Sequence, residues 1–129
     1  MLSTIRSKRA MLKIRFWLPS ILYMAFIFMM SSRPAPEEVK WLPIIAKLKL
    51  VHIIEYGILY LLFYWPLRKT TTFDKTEAFM MAFMLTITYG LTDELHQVFV
   101  IGRTASLADA LANGVGALIV QASNFINRK

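Results

Sequence analysis

A short polar stretch in the second half of the chain combines four side chains that can do chemistry. Asp93 and Glu94 supply carboxylates, His96 an imidazole and Gln97 a carboxamide, all within five residues. Carboxylates and imidazoles act as general bases and acids, and both bind divalent metals. The sequence leading to them from Ala78 is apolar, and a charged side chain inside a membrane costs roughly 2.5 to 3.5 kcal/mol. Such groups need partners, so this stretch is the first candidate for a functional site.

The overall composition indicates a membrane protein. The 129 residues suffice for one domain, and 57% of them are hydrophobic, above the ordinary globular share of about 45 to 50%. Mean hydropathy is +0.50. The net charge is +7, but the basic residues lie outside the apolar runs and are not interleaved with aromatics, so nucleic-acid binding is not expected. The absence of cysteine excludes a disulfide framework, a cysteine nucleophile and a thiolate metal site.

Four apolar runs are each close to the roughly 20 residues that cross a bilayer core as a helix. Only helices satisfy their own backbone in lipid without closing a barrel. The sequence therefore predicts an all-α integral membrane four-helix bundle, a single domain over residues 1–129. The first run is interpreted as a retained helix, because it is too long for a signal peptide and no A-x-A-like cleavage site follows. The predicted helices are approximately 16–32, 48–67, 77–100 and 106–126.

The basic residues set the predicted orientation. Ten of them lie in the N-terminal segment, in the 68–77 loop and at the C-terminus. Loops richer in Lys and Arg face the cytoplasm, so both termini are expected there, in a multi-pass protein of the plasma membrane. The five on the other side are Arg33, Lys40, Lys47, Lys49 and Arg103.

With this topology, polar residues on three helices lie at one depth near the external surface. They recur three or four residues apart, which places them on one face of each helix. Helix two carries such a stripe from Lys49, helix three from Asp93 and helix four from Ser106. The prediction is a polar cavity open to the outside and lined by helices two, three and four. The candidate binding residues are Lys49, His52, Glu55, Tyr56, Asp93, Glu94, His96, Gln97, Arg103, Asp109 and Asn113.

The charges of this cluster allow several chemistries. Its four carboxylates cannot all stay ionised so close together without protons, protonated imidazoles or a divalent metal as the cofactor. The candidate metal ligands are two pairs one helical turn apart, His52 with Glu55 and Asp93 with His96. In an enzyme, Glu55 or Asp93 would be the base and His52 or His96 the acid. A structural alternative pairs Asp93 or Asp109 with Arg103 or Lys49. Glu94 points about 100° from Asp93, so the two carboxylates lie on different faces of the helix.

These residues resemble the VanZ-like family of bacterial membrane proteins, over nearly the whole chain. The resemblance implies a bacterial cell-envelope protein related to a founding member that is associated with low-level resistance to the glycopeptide teicoplanin. Arg33 and Ile101 stand where family members often have Gln and Pro, outside the cluster. The motifs are Lys49-x-x-His52-x-x-Glu55-Tyr56, Tyr89-Gly90-x-x-Asp93-Glu94-x-His96-Gln97, Gly102-Arg103-x-x-Ser106-x-x-Asp109 and Asn113-Gly114-x-Gly116.

Two functions from different classes follow. The leading hypothesis is a binding protein whose cavity takes a polar lipid headgroup, a lipid-linked ligand or a glycopeptide-type ligand. The alternative is a membrane-embedded enzyme, with or without a metal, that acts on a lipid-linked envelope substrate. Coupled transport ranks lower, since the inner halves of the helices carry few polar residues. The expected partners are membrane lipids and a second copy of the chain, docked through the small residues of helix four.

Overall fold

The computed structural model describes the backbone of residues 2–34, 44–103 and 105–126. Side chains are described at residue 7 and over residues 10–34, 50–103 and 105–123. This part of the chain is helical, with short turns and no strand. The prediction of an all-α four-helix bundle is confirmed. The helices are α1 (Leu2–Ser31), α2 (Ile44–Thr70), α3 (Lys75–Gln97) and α4 (Leu107–Ile126).

The ends of three helices differ from the predicted ones. α1 begins at Leu2 instead of near residue 16, because the basic segment is rich in strong helix formers such as Lys, Arg, Met and Leu. α2 runs from Ile44 through Pro66 to Thr70, instead of over 48–67. α3 ends at Gln97 instead of near residue 100, because the next residues turn back onto its last carbonyls. α4 lies within one residue of its predicted range.

α3 begins at Lys75 because a capping box precedes it. The Asp74 carboxylate accepts the backbone N–H of Glu77 at 2.8 Å, and the Glu77 carboxylate accepts the backbone N–H of Asp74 at 2.9 Å. This reciprocal pair satisfies two of the donors that a helix start leaves free. The connection between α2 and α3 therefore comprises only residues 71–74, at the end of the bundle where α2 ends and α3 begins.

Pro66 lies inside α2 without ending it, because α1 compensates for its missing N–H. A proline here leaves the carbonyl of Leu62, one turn earlier, without its intrahelical donor. The Ser20 hydroxyl of α1 donates to that carbonyl oxygen at 2.5 Å. Nearby, the Trp17 indole N–H donates to the Thr70 hydroxyl at 3.2 Å, and that hydroxyl donates to the carbonyl of Pro66 at 2.8 Å. Hydrogen bonds thus join α1 to the proline-containing turn of α2.

α2 lies at the centre of the bundle and contacts each of the other three helices. It is antiparallel to α1 and α3 and parallel to α4, whereas α1 and α4 make no contact within the described parts of the chain. Its buried face supplies most of the apolar core. The core side chains are Ile27, Tyr56, Leu59, Tyr60, Phe63, Leu67, Ala78, Phe79, Ala82 and Ala117.

Small residues bring α4 into backbone contact with α2. A Cβ atom added at Gly116 would overlap the carbonyl oxygen of Ile53, and Ala112 and Ala117 are buried beside it. Such close approach is typical of helix pairs in membranes. The small-residue face of α4 is therefore occupied within the chain, and the predicted dimer cannot use it. A homo-oligomer stays a prediction that needs another surface.

The outside of the bundle is apolar. Large hydrophobic side chains are exposed on every helix, for example Ile21 on α1, Ile54 on α2, Met84 on α3 and Leu111 on α4. Two helices are long and apolar enough to cross a membrane, over Ala10–Ser31 and Leu50–Thr70, and α4 contributes a shorter apolar segment. An apolar surface of this extent suits lipid better than water.

Candidate functional site

A cavity of about 190 Å³ opens at the end of the bundle where α1 and α3 end, called here the polar end. It is lined by α1, α2, α3 and the turn after α3. The sequence predicted a wall from α4, which this cavity does not have. α4 is excluded because Gly116 holds it against the backbone of α2, which closes that side. The lining residues are Ile27, Met30, Ser31, Val51, His52, Glu55, Asp93, Gln97 and Arg103.

Asp93 is the most constrained carboxylate of the cavity. It is 4% exposed, and its Oδ2 atom accepts the Tyr56 hydroxyl at 3.3 Å and the Gln97 amide N–H at 3.1 Å. Gln97 lies one turn further along α3, so it reaches the same oxygen. The second oxygen, Oδ1, is buried without a hydrogen-bond partner among the described residues. One carboxylate oxygen is thus fixed and the other is left for a ligand.

Two further cavity residues carry polar atoms without partners. Ser31 ends α1 and His52 lies near the start of α2, and both are buried. The Ser31 Oγ and the His52 Nδ1 have no hydrogen-bond partner within the described part of the chain. Glu55, one turn beyond His52, is half-buried on the same wall. A buried polar atom without a partner costs about 1 to 3 kcal/mol, so these atoms imply that a ligand or water completes the site.

Glu94 faces α4 and not the cavity. Its side chain is 6% exposed, and its Oε2 accepts the backbone N–H of Ser106 at 3.0 Å, just before α4. Its Oε1 is buried without a partner among the described residues. One ligand atom each from His52, Glu94 and Asp109 lies within 4.8 Å of the others. These three residues form a second cluster, between α2, α3 and α4, that shares only His52 with the cavity.

Asn113 lies one turn after Asp109 on the buried face of α4. It is 1% exposed, packs against Gly90 of α3 and has no partner in the described structure for either amide atom. A Cβ atom at Gly90 would contact the Asn113 amide and the ring of Tyr56, so the glycine makes room for both. Buried unpaired groups therefore extend from the cavity across to α4.

The family described as VanZ/LLP1 matches residues 16–123, a range that includes most of the apolar part of α1 and every residue of the cavity and of the His52–Glu94–Asp109 cluster. The chain belongs to the VanZ/LLP1 family. No curated protein and no solved structure matched the chain. Family membership, together with two helices long and apolar enough to cross a membrane, identifies a membrane protein.

In this VanZ/LLP1 protein His96 stands apart from the other candidates. Its Nε2 lies 3.0 Å from the Ser32 Oγ, and its ring packs against Phe28 with centroids 4.4 Å apart. Both contacts are to α1 or to the residue that follows it, and His96 does not line the cavity. Asp93 and His96 thus have different neighbours, and the Asp93–His96 metal pair stays a prediction.

Arg103 is positioned by the turn that follows α3. Gly102 has a φ of 78°, a left-handed conformation that a glycine adopts without strain. The Arg103 Nε donates to the backbone carbonyl of Arg33, next to the end of α1, at 3.2 Å. No carboxylate lies within ion-pair distance of Arg103 among the described side chains. Arg103 lines the cavity together with Glu55, whose negative charge its guanidinium partly offsets. Lys49 lies in α2, but its side chain is outside the described residues.

α1 is the element whose role in this VanZ/LLP1 protein the sequence reasoning missed. It supplies Ile27, Met30 and Ser31 to the cavity, although none was a candidate. A signal was present: Ser20, Met24, Ile27 and Ser31 recur four, three and four residues apart, one stripe of a helix. Ser20 and Ser31 are the small polar residues at the two ends of that stripe. Ser20 contacts α2, and Ser31 lines the cavity.

Proposed function

We propose that this VanZ/LLP1 protein binds the polar headgroup of a membrane lipid or lipid-linked molecule in the cavity at its polar end. The observation that carries the proposal is the set of buried polar atoms without partners on three lining residues, Ser31, His52 and Asp93. They come from three helices and border one cavity. A ligand with hydrogen-bonding groups would satisfy the Ser31 and Asp93 atoms together, and the His52 atom as well when no metal occupies it.

The charges of the cavity favour a ligand that carries both signs. Glu55 and Asp93 would meet an amine or hydroxyl, while Arg103 would meet a phosphate or carboxylate, as guanidinium groups do. The volume of about 190 Å³ is below the roughly 300 to 1,000 Å³ of sites for drug-sized molecules. A headgroup fits this volume, whereas only one polar arm of a glycopeptide would enter it.

The binding experiment uses the purified protein in detergent with headgroup-bearing lipids, lipid-linked cell-wall precursor and teicoplanin. A ligand of the cavity should raise the melting temperature, by an amount that increases with the logarithm of the ligand concentration above its Kd. Asp93→Asn and Glu55→Gln should weaken that ligand roughly tenfold or more, since each removes a charge-assisted hydrogen bond of about 1.5 to 3 kcal/mol. Ser123→Ala, an exposed change on α4, is the control. A panel in which no molecule protects the protein contradicts the proposal.

The family resemblance suggests that this binding contributes to teicoplanin tolerance in the bacterial envelope. Expression in a susceptible Gram-positive host should raise the inhibitory concentration of teicoplanin for the original protein and not for Asp93→Asn at equal protein levels. A glycopeptide-independent effect, or equal protection by both proteins, would separate resistance from the cavity.

The orientation is proposed from the basic residues, with both termini in the cytoplasm and the polar end at the external face. The chain contains no cysteine, so single cysteines can be added without background. A cysteine at Phe99, which is 80% exposed beside the cavity, should react with an impermeant thiol reagent on whole cells. A cysteine at Thr72, in the α2–α3 connection, should react only after lysis.

A second function is favoured by the His52–Glu94–Asp109 cluster, because a cluster of this kind suits metal-assisted hydrolysis. The protein would then cleave a lipid-linked ester or pyrophosphate at the polar end. Release of phosphate or of the lipid product from candidate substrates tests it, with Glu94→Gln as the inactive control. Absence of turnover with every substrate that binds leaves the binding function as the better account.

A further inference from the structure

We propose that His52, Glu94 and Asp109 form a divalent transition-metal site between α2, α3 and α4. One ligand atom from each lies within 4.8 Å of the others. The three residues come from different helices, so the bundle itself assembles the cluster. A tetrahedral ion with ligand distances of about 2.0 to 2.1 Å holds its ligand atoms roughly 3.4 Å apart.

The unpaired atoms of these residues point to a ligand independently of their proximity. Glu94 is 6% and His52 8% exposed, and Glu94 Oε1 and His52 Nδ1 are buried with no hydrogen-bond partner among the described residues. The other oxygen of Glu94 is held by the backbone N–H of Ser106, which orients the carboxylate. Metal ligands are commonly fixed by such a second contact, with the free atom left for the ion.

Charge favours a divalent cation over water or a monovalent ion. Two carboxylates with a neutral imidazole and a divalent ion sum to zero, which removes net charge from a site enclosed by apolar helices. Three protein ligands leave a further coordination position open, the arrangement of zinc sites that bind water or a substrate oxygen. The imidazole favours zinc over magnesium, calcium and manganese, which prefer oxygen ligands.

The site shares His52 with the headgroup cavity and is the cluster on which the second proposed function rests, but metal binding is tested here without either activity. Glu94 and Asp109 do not line the cavity, and Glu55 and Asp93 are not in the cluster. α3 therefore carries two neighbouring carboxylates that belong to different sites. Asp93 belongs to the cavity, and Glu94 belongs to the metal site.

The test measures Zn²⁺ and Mn²⁺ binding by the full-length protein in detergent after removal of metals with a chelator. The original protein should bind one Zn²⁺ per chain, with a rise in melting temperature that the chelator reverses. Glu94→Gln and Asp109→Asn should each weaken the metal at least about tenfold. Ser123→Ala, an exposed change on α4 away from both groups of residues, should bind Zn²⁺ like the original protein. Melting temperatures without metal show that each variant is folded, and Asp109→Asn, at the half-buried start of α4, decides if Glu94→Gln does not fold.

The two histidines of the chain provide a spectroscopic control. X-ray absorption at the zinc edge should show imidazole scattering that His52→Gln abolishes and His96→Gln preserves. No saturable Zn²⁺ in the original protein, or equal binding in Asp109→Asn, overturns the proposal. Headgroup binding is followed in the same preparations, so loss of one activity with retention of the other shows which assignment has failed.

Discussion

At the end of the bundle where α2 turns into α3, buried polar groups are paired, whereas at the polar end they are not. Ser20 donates to the carbonyl freed by Pro66, and Trp17 donates to Thr70. At the other end, His52, Asp93, Glu94 and Asn113 each keep at least one buried atom without a partner in the described structure. Both regions belong to the same four helices. Their difference lies in how the polar groups are used.

The comparison separates polar residues that hold helices together from those that wait for a ligand. A made hydrogen bond contributes about 0.5 to 1.5 kcal/mol, and an unsatisfied buried group costs about 1 to 3 kcal/mol. With Ser31 included, five described residues have unsatisfied atoms at the polar end, which is a large cost unless something binds there. Tyr60 is an exception, because its hydroxyl is buried without a described partner in the core, and nothing in the structure explains it.

The largest expected change in stability comes from Ser20→Ala. The substitution leaves the carbonyl of Leu62 buried with neither an intrahelical donor nor a hydroxyl, so unfolding should become easier by about 1 to 3 kcal/mol. Denaturation in mixed detergent micelles measures this loss. Ligand and metal affinities should stay unchanged, because Ser20 is remote from the polar end. A stability equal to that of the original protein would mean that Pro66 needs no compensation.

Asn113→Leu should change stability in the opposite direction. Leucine has the same branched shape without polar atoms, and replacing an unpaired buried amide in this way is neutral or stabilising, by up to about 1 kcal/mol. The same denaturation assay applies, with Ser20→Ala as the contrasting variant. A clear loss of stability would show that the Asn113 amide has a partner and belongs with the paired end.

Trp17→Phe should have a smaller effect than Ser20→Ala. It removes the indole N–H bond to Thr70 while keeping an aromatic ring, and the Thr70 hydroxyl retains its bond to Pro66. The expected loss is about 0.5 to 1 kcal/mol, at the lower end for a net hydrogen bond. Thr70→Val should give a similar loss. The double variant should lose less than the sum, because both changes break one shared contact.

Ser32→Ala should have the smallest effect, within about 0.5 kcal/mol, because Ser32 is exposed and its hydrogen bonds are open to water. It removes the contact that holds His96 toward α1. Ligand and metal binding should stay as in the original protein. If Ser32→Ala weakens either one, His96 takes part in ligand or metal binding and does not belong with the polar residues that only hold helices together.

The sequence predicted the four helices and the common level of the polar residues, because both follow from helical periodicity and from the length that a bilayer requires. It did not predict which neighbour each polar face meets. Glu94 and Asp93 differ by one residue and face different helices, and His96 turns to α1. Which helix a side chain meets depends on how closely each pair of helices packs. For α4 that distance is set where Gly116 packs against the backbone of Ile53 on α2.

The helix ends also show where pattern fails. Pro66 indicated a helix end, because a proline usually removes a hydrogen bond that nothing replaces. The replacement comes from Ser20, more than forty positions earlier, and no local pattern reports such a contact. α1 was missed as a cavity wall for a similar reason. Its residues in the cavity are mostly apolar or small, whereas the sequence signal for a site inside a membrane comes from charged side chains.

The parallel contact between α2 and α4 has a consequence for the order in which the protein is made. The two helices are separated in sequence by the whole of α3, so their contact through Gly116 can form only after α4 has left the ribosome. Asp109 and Asn113 are part of that helix. A chain interrupted before α4 would place His52 and Glu94 in the membrane without Asp109, so the three residues can come together only after α4 has been made.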